Sequence, residues 1–530
     1  MNIVIGSGPA GIGAALALLE QNQPVTILDN GEDLEEEKKQ LINRMAQMEP
    51  QDWCQEDIKN LKGSISASVK GVSQKLAFGS DFPYRRPTDF EPAESSTLHL
   101  WSSFAKGGLT NVWGAALLPY HQRDIQDWPI SVQDLKPFYE KILSSIPMSS
   151  VEDDLLEDFP LYTKANSSLK PSLQATQWLE ELKESKSTLS KAGFTFGRSR
   201  LAITTESNAD AVGCKYCTLC MYGCPYNSIY KTSLTLDAMK QNKNLTYVQG
   251  IIVENLREEN GKVVIQARTR VGNESRSFSA ERVFVGSGVV PTAKIMLGSM
   301  KAFDEPVFIR DSQHFILPMI RHTNTKGVGE EQLCTLAQLF FEHFDESLDS
   351  HSFIFQAYTY NDFYAEALKN LLGPLFFLAK PMFPLILGRL IILQGYLHSS
   401  LSGRAKLTLN RSHKDDLGKL TIEAIKNPDT QRVVQKQGRL LWQYRRHFKA
   451  FPLLPFNNLS QIGHGNHYGG TFPMKKFPGH LESDVLGRIK GWQRVHLVDS
   501  STFPNIPPGP IALTIMANAY RIAQASILEL

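Results

Sequence analysis

Four of the six cysteines of this 530-residue chain fall in one run, Cys214-x2-Cys217-x2-Cys220-x3-Cys224-Pro225. Thiolates spaced this way on turns can converge on adjacent corners of an iron–sulfur cube. The spacing equals the bacterial ferredoxin run, whose fourth cysteine can serve a second cluster. Cys214, Cys217 and Cys220 are therefore expected ligands of an iron–sulfur cluster, with Cys224 as the fourth. Gly213 and Gly223 let the backbone turn tightly around them. The alternatives are zinc, whose sites usually separate two cysteine pairs by a longer stretch, disulfides, and unligated thiols. Cys54 and Cys334 stand isolated in the sequence.

A second pattern opens the chain. Gly6-Ser7-Gly8-Pro9-Ala10-Gly11 follows the apolar β-branched run Ile3-Val4-Ile5, and Asp29 lies 18 residues after Gly11, at the end of Val25-Thr26-Ile27-Leu28. Strand, G-x-G-x-x-G, helix, strand and acid make a dinucleotide site. The glycines give a tight turn, close approach to a pyrophosphate and close helix–strand packing, and the acid accepts from ribose hydroxyls. The helix N-terminus leaves N–H groups free for phosphate. An ordinary glycine-rich turn would not explain the acid. Lys106-Gly107-Gly108-Leu109-Thr110-Asn111-Val112-Trp113-Gly114 is a second glycine-rich stretch, either a backbone loop close to a ligand or a turn beside a packed Trp. His464 and His467 lie in a third, and a lone histidine there is more often structural.

The elements that must position these residues follow from periodicity. Leu34, Leu41, Ile42 and Met45 predict an amphipathic helix, and Asp52–Leu61 a second. Ser131 caps a helix carrying Leu135, Phe138, Tyr139 and Ile142. Short strands are expected at Thr246–Val248, Ile251–Val253, Val263–Ile265 and Val283–Val285, the last followed by Gly286-Ser287-Gly288 and a helix opened by Pro291. From Pro306 to about Thr421, strands at 307–310, 315–322, 351–359, 391–398 and 405–409 predict a mostly antiparallel sheet. Asn427–Phe448 reads as a charged helix.

Length implies two or three domains. A net charge of +2 carries no nucleic-acid footprint. The N-terminus enters its first strand at once, with no basic region leading an apolar run, which points to a cytoplasmic location. Leu371–Leu387 is the most apolar stretch. It is shorter than the roughly 20 residues of a membrane span and is interrupted by Pro374, Lys380, Pro381 and Pro384. It is either a buried wall or an exposed element touching membrane, a lipid-like substrate or a partner.

Taken together, the motifs resemble the glucose–methanol–choline family of FAD-dependent oxidoreductases. The match rests on Gly6–Asp29, Gly107–Gly114, Val283–Leu297 and Gly465–Ala523, the last holding His467-Tyr468-Gly469-Gly470-Thr471 and Val495–Ser501. Leu109 stands where the family often has a small residue. The resemblance implies an α/β fold: a discontinuous Rossmann-like FAD-binding domain (1–120, 206–300, 461–530) and an α+β substrate domain (121–205, 301–460) with a mostly antiparallel sheet. It implies FAD held by Gly6, Gly8, Gly11, Asp29, Gly107, Gly108, Thr110, Asn111, Trp113, the backbone near Val253, and Asp499. It also implies that His467 is the base for a small-molecule alcohol, a sugar or a polyhydroxylated or lipid-like compound, which gives hydride to the flavin.

The family's second active-site position, usually His or Asn, falls on Pro510, which has no side-chain donor or acceptor. His464 is the nearest replacement in sequence. An iron–sulfur cluster would give the flavin a one-electron outlet and favour a dehydrogenase over an oxidase; the residues do not name the final acceptor. The other reading that Pro510 motivates is a flavoprotein with a redox-neutral or non-catalytic role.

Overall fold

The computed structural model describes residues 1–63, 75–91, 98, 100–164, 167–208, 211–346, 350–362, 373, 383–411 and 418–528. Asn2–Ile5, Val25–Asp29, Leu245–Gln249, Arg282–Val285 and Val495–Leu497 form a parallel five-stranded sheet. Its order runs from 495–497 through 282–285, 2–5 and 25–29 to 245–249. Successive side chains alternate across the pleat. Val4, Ile27 and Phe284 therefore pack on the helices Pro9–Glu20 and Ala512–Leu528, which also pack on each other. Ile3, Ile5, Leu28, Val283 and Val285 face the other way, onto the helix Val289–Met300 and the antiparallel meander Ile251–Glu259, Lys262–Thr269, Ser275–Ala280. Covering both faces is what a parallel sheet requires, and it explains why these strands read as unbroken apolar runs.

The antiparallel region is two sheets where the sequence predicted one. Arg404–Asn410 pairs with Lys419–Ile425 and Pro306–Asp311, and the latter pairs with Tyr468–Gly469. A seven-stranded sheet is built on His314–Arg321, Leu390–Tyr396, Phe353–Tyr358, Leu339–His343 and Phe194–Arg198, with Ala450–Pro452 and Asn458–Leu459 on the outer side of the first. Phe194–Arg198 and Leu339–His343 were not expected as strands. Gly197 allows the first to pass Asp153, whose carboxylate lies 2.2 Å from where a Cβ would stand.

Helices fall near their expected places at Glu36–Ala46, Gln55–Lys62, Val132–Leu143 and Thr430–Gln443. Ser131 and Asp134 form a reciprocal cap on the third. Pro291 sits within the first turn of its helix, which starts two residues earlier, at Val289. Of Leu371–Leu387, everything but Gly373 and the short helix Phe383–Leu387 lies outside the described residues, and so does the expected apolar contact surface. No helix among the described residues is long and apolar enough to cross a membrane.

Candidate functional site

One cavity runs from the first glycine turn to the face of the seven-stranded sheet. At its first end, two strand-to-helix turns meet back to back. A Cβ on Gly6, where φ is +94°, would lie 2.8 Å from Gly286 O, and one on Gly11 only 1.9 Å from Gly6 O. Gly11 thus serves packing behind the wall, whereas Gly6, Gly8 and Gly108 line the cavity. The helix Pro9–Glu20 has Gly8 as N-cap with no side-chain cap, so its first N–H groups are not taken by a capping side chain.

Asp29 lines the same end and is buried. Ser7 Oγ donates to its Oδ2, and Tyr247 OH donates to the same oxygen at 3.1 Å. Burial pushes its pKa up to about 6 against these donors. Ser7 also ties the turn to the second glycine stretch, because Gly107 N donates to its Oγ at 2.9 Å. Thr110 Oγ1 donates to Gly107 O at 2.5 Å, and Thr232 Oγ1 reaches Gly107 O (3.0 Å) and Ser7 O (3.1 Å). Asn111 Nδ2 donates to Lys106 O and Gly108 O, at 3.0 and 2.8 Å, and Trp113 Nε1 to Tyr230 O at 2.8 Å. Thr110 and Trp113 line the cavity; Gly107 and Asn111 shape the loop from behind.

Asp499 is buried in the wall and takes Gly288 N (2.9 Å) and Thr292 Oγ1 (2.6 Å) on Oδ2, and Ser501 N (2.9 Å) on Oδ1. Burial raises its pKa. Ile251, Ile252 and Val253 line the cavity nearby. The polar atoms Asn30 Oδ1, Ser102 Oγ and Ser287 Oγ are buried on this wall without a partner among the described residues. A Cβ at Gly288 would meet nothing within 4 Å. Unpaired polar atoms, glycine turns lining the cavity and a buried acid fit a dinucleotide with its hydroxyls and phosphates.

The other end is a histidine wall. Tyr468 pairs with Asp311, and Ser312 N donates to His467 O at 2.8 Å. That pairing sets His467 and His464 against His314. His464 stacks on His314 with ring centroids 5.4 Å apart, and His467 on Tyr396 at 4.8 Å. Burial pushes His467 down to about 4; burial and the two neighbouring imidazoles push His314 down to about 3. Both are therefore neutral at neutral pH. His314 Nδ1, His467 Nδ1 and Asn466 Oδ1 have no hydrogen-bond partner among the described residues. Pro510 lines the cavity too, after Gly509 at φ +115°.

His314, Gln356, Tyr358, Gln394 and Tyr396 were not anticipated from sequence. Register gathers them: His314 opposes Tyr396, Ile316 opposes Gln394, and Gln394 opposes Gln356. With period-two alternation, these face the cavity while Phe315, Leu317, Phe355, Ala357 and Leu393 face the core under Trp178. The signal available in sequence was Gln and Tyr two residues apart in otherwise apolar strands, Gln356-Ala357-Tyr358 and Gln394-Gly395-Tyr396.

The cysteine run departs from expectation. All six cysteines are unpaired as disulfides. Among the described residues no group of three or more His, Cys, Asp or Glu side chains is placed to hold a metal ion, so the arrangement does not support the expected iron–sulfur ligands Cys214, Cys217, Cys220 and Cys224. A fifth thiol lies beside the run. Cys334, isolated in sequence, is carried in by a parallel bridge between Cys217 and Leu333, and its Sγ lies 3.7 Å from Cys220 Sγ. Contacts with Cys214 and Cys220 raise the Cys334 pKa. Half-buried Lys75 feels Cys220, Cys334 and Cys224, donates to Trp113 O at 2.9 Å, and lines the cavity.

No protein-family model matches the chain, and no curated protein matches its sequence. Solved structures do match its fold. Pyridoxine 4-oxidase from Mesorbium loti aligns at 14% identity and TM-score 0.59, covering 99% of this chain and 98% of that one. A formate oxidase aligns at 13% identity and TM-score 0.60, covering 100% of this chain and 98% of that one. A variant of the Aspergillus oryzae RIB40 formate oxidase, studied for its effect on FAD modification, aligns equally well, at 13% identity and TM-score 0.60. The chain thus shares its fold with these solved flavoenzymes, which belong to the glucose–methanol–choline family that its motifs resemble.

Proposed function

We propose that the chain is an FAD-dependent oxidoreductase that takes hydride from a hydroxyl-bearing carbon of a neutral substrate, with His467 as the proton acceptor. The observation that carries this reading is one continuous cavity joining a dinucleotide cradle to a wall of neutral imidazoles. The names of the solved neighbours agree: all three are oxidases, one of pyridoxine and two of formate, and one of them was studied for FAD modification.

When bound, FAD supplies a two-electron hydride acceptor. Gly6, Gly8, Gly108 and the helix start at Pro9 would hold its phosphates, Asp29 a ribose, and the backbone at Ile251–Val253 the base. His467, neutral and lining the cavity, accepts the hydroxyl proton. The stacked Tyr396 ring fixes its plane. Pro510 offers no polar group, and His314 and His464 supply the second hydrogen-bonding position from another segment. The sheet wall presents Gln356, Tyr358, Gln394 and Tyr396, with no charged side chain among them. That wall suits neutral hydroxyl compounds and itself gives a carboxylate substrate no cation to pair with.

The test is anaerobic mixing of FAD-loaded protein with neutral alcohols and polyols, and separately with formate. Loss of the flavin band near about 450 nm with alcohols supports the reading. A flavin that stays bound and that none of them bleaches favours a redox-neutral role. Protein that releases no FAD on denaturation overturns the reading.

A further inference from the structure

Two of the buried thiols lie against each other. Cys220 and Cys334 are 6% and 1% exposed, and their sulfurs are in contact at 3.7 Å. They come from segments 114 residues apart, held together by the Cys217–Leu333 bridge and by Thr335 Oγ1 donating to Thr218 O at 3.4 Å. A disulfide needs sulfurs about 2.05 Å apart, so bond formation asks for a closure of about 1.7 Å. The pair sits directly behind the cavity. Met221 follows Cys220 in the chain and Leu336 lies two residues after Cys334, and both line the cavity, as do Lys75 and Trp113.

We propose that Cys220 and Cys334 are a redox-active dithiol that exchanges two electrons with the flavin of the adjoining cavity. This rests on the FAD reading above. Oxidation breaks two S–H bonds, forms one S–S bond and releases two electrons and two protons, which oxidised flavin takes up. In the reverse direction, reduced flavin returns both electrons and both protons and the S–S bond opens to two thiols. The pair thus stores one substrate's electrons inside the protein while the flavin turns over again. Cys214, which also touches Cys334, is the competing partner. Cys54, exposed at the start of the helix Gln55–Lys62, takes no part.

The test uses full-length, flavin-loaded protein, reduced anaerobically with a phosphine, cleared of reductant, and split into untreated and diamide-oxidised portions. In the oxidised portion, peptide mapping without reduction is expected to find a Cys220–Cys334 cross-link, and free thiols should fall by about two per chain. Dithionite titration of that portion should take up about four electrons per flavin, against about two for the untreated portion. Cys220→Ser and Cys334→Ser, each carried through the same oxidation, should return the uptake to about two. The wild-type peptide map decides the pairing even if neither variant folds. A cross-link from Cys334 to Cys214, no cross-link, an uptake of about two electrons after oxidation, or bound iron with acid-labile sulfide overturns the proposal. Flavin-loaded protein without the cross-link sinks the dithiol and leaves the FAD reading standing. A chain that binds no flavin sinks that reading and the dithiol's electron partner with it, while the map still decides the thiol pair.

Discussion

The two ends of the cavity are built on different plans. The nucleotide end is anchored by a contiguous stretch, Gly6 to Asp29, with walls added from 102–113, 251–253, 286–288 and 499, and its acids are already held: Asp29 by Ser7 and Tyr247, Asp499 by Gly288, Thr292 and Ser501. What it leaves open are neutral amide and hydroxyl oxygens. The histidine end is assembled from segments more than a hundred residues apart, and what it leaves open includes the titratable nitrogens of His314 and His467. Neutral open atoms bind a constant ligand in a fixed pose. In the proposed function the imidazoles at the other end, kept neutral by burial, move a proton. The contrast is one between holding and reacting, and each end can be broken separately.

The largest expected effect lies at the reacting end. His467→Ala should retain FAD but slow flavin reduction by about 10²–10⁴-fold, the usual loss of a general base, equivalent to about 3–5 kcal/mol of barrier. Stopped-flow reduction by a substrate alcohol measures it, and partial recovery at high pH, as the alcohol ionises, identifies the lost step as proton removal. In the parent, kcat/KM should hold steady from pH 8 down to about 5 and fall toward pH 4, where His467 takes up its proton. An unchanged reduction rate in His467→Ala moves the base to His464 or His314.

At the holding end, two glycines separate packing from binding. A Cβ at Gly11 would lie 1.9 Å from Gly6 O, whereas one at Gly8 meets nothing nearer than Gly108 Cα at 3.9 Å. Gly11→Ala should lower the melting temperature, with a cost of about 1–3 kcal/mol or more from overpacking, and lose FAD with it. Gly8→Ala should leave the apoprotein's melting curve unchanged while its methyl enters the cavity and weakens FAD. Equal thermal losses in both would mean that the turn has no separable binding surface.

This division also decides what could be read from the sequence. The holding end was legible because its geometry is local: three glycines, a helix start and an acid at one strand's end are all fixed by neighbours in the chain. The reacting end was legible only at His467 and His464. His314 and Tyr396 are brought there by strand register between distant segments, which no local pattern encodes. Cys334 was invisible for the same reason: Cys220, which it touches, lies 114 residues away in the chain. The seven-stranded sheet hid its polar face because bulky apolar side chains occupy both of its sides. Ile354 and Phe355 are neighbours in one strand and pack into different cores. His314, Gln356, Tyr358, Gln394 and Tyr396 mark the side that is open to the cavity.

Asp29 tests the holding end with pH as the variable. Its pKa is pushed up to about 6 by burial. A carboxyl whose folded pKa is raised adds stability that is fully present below its unfolded value and is lost as pH rises through about 6. The apoprotein is therefore strained at Asp29 at neutral pH, and ribose hydroxyls donating to the carboxylate relieve it. FAD affinity should weaken as pH falls through 6, and binding near that pH should release protons, seen as buffer-dependent heats in calorimetry. Asp29→Ala should weaken FAD by about 1–3 kcal/mol at pH 8 and abolish the pH dependence. Parent-like retention of FAD by Asp29→Ala through dialysis removes the acid from the site.

Tyr247 offers the smallest and most specific change. Its hydroxyl donates to Asp29 Oδ2 at 3.1 Å beside Ser7 Oγ, which leaves the carboxylate with one fewer donor when it is removed. That bond stabilises the ionised form, so Tyr247→Phe should raise the Asp29 pKa further. The substitution keeps the ring and its packing, and a single hydrogen bond of this kind is worth about 0.5–1.5 kcal/mol. The midpoint of FAD loss on acidification should therefore move upward by a fraction of a pH unit to about one unit. Above that midpoint, affinity should stay close to the parent's, since the ribose still meets an ionised acceptor. Flavin reduction by alcohol should be unchanged, because His467 lies at the other end of the cavity. A loss of affinity equal at every pH would mean that Tyr247 touches the nucleotide directly, and a slowed reduction would mean that the two ends are not independent.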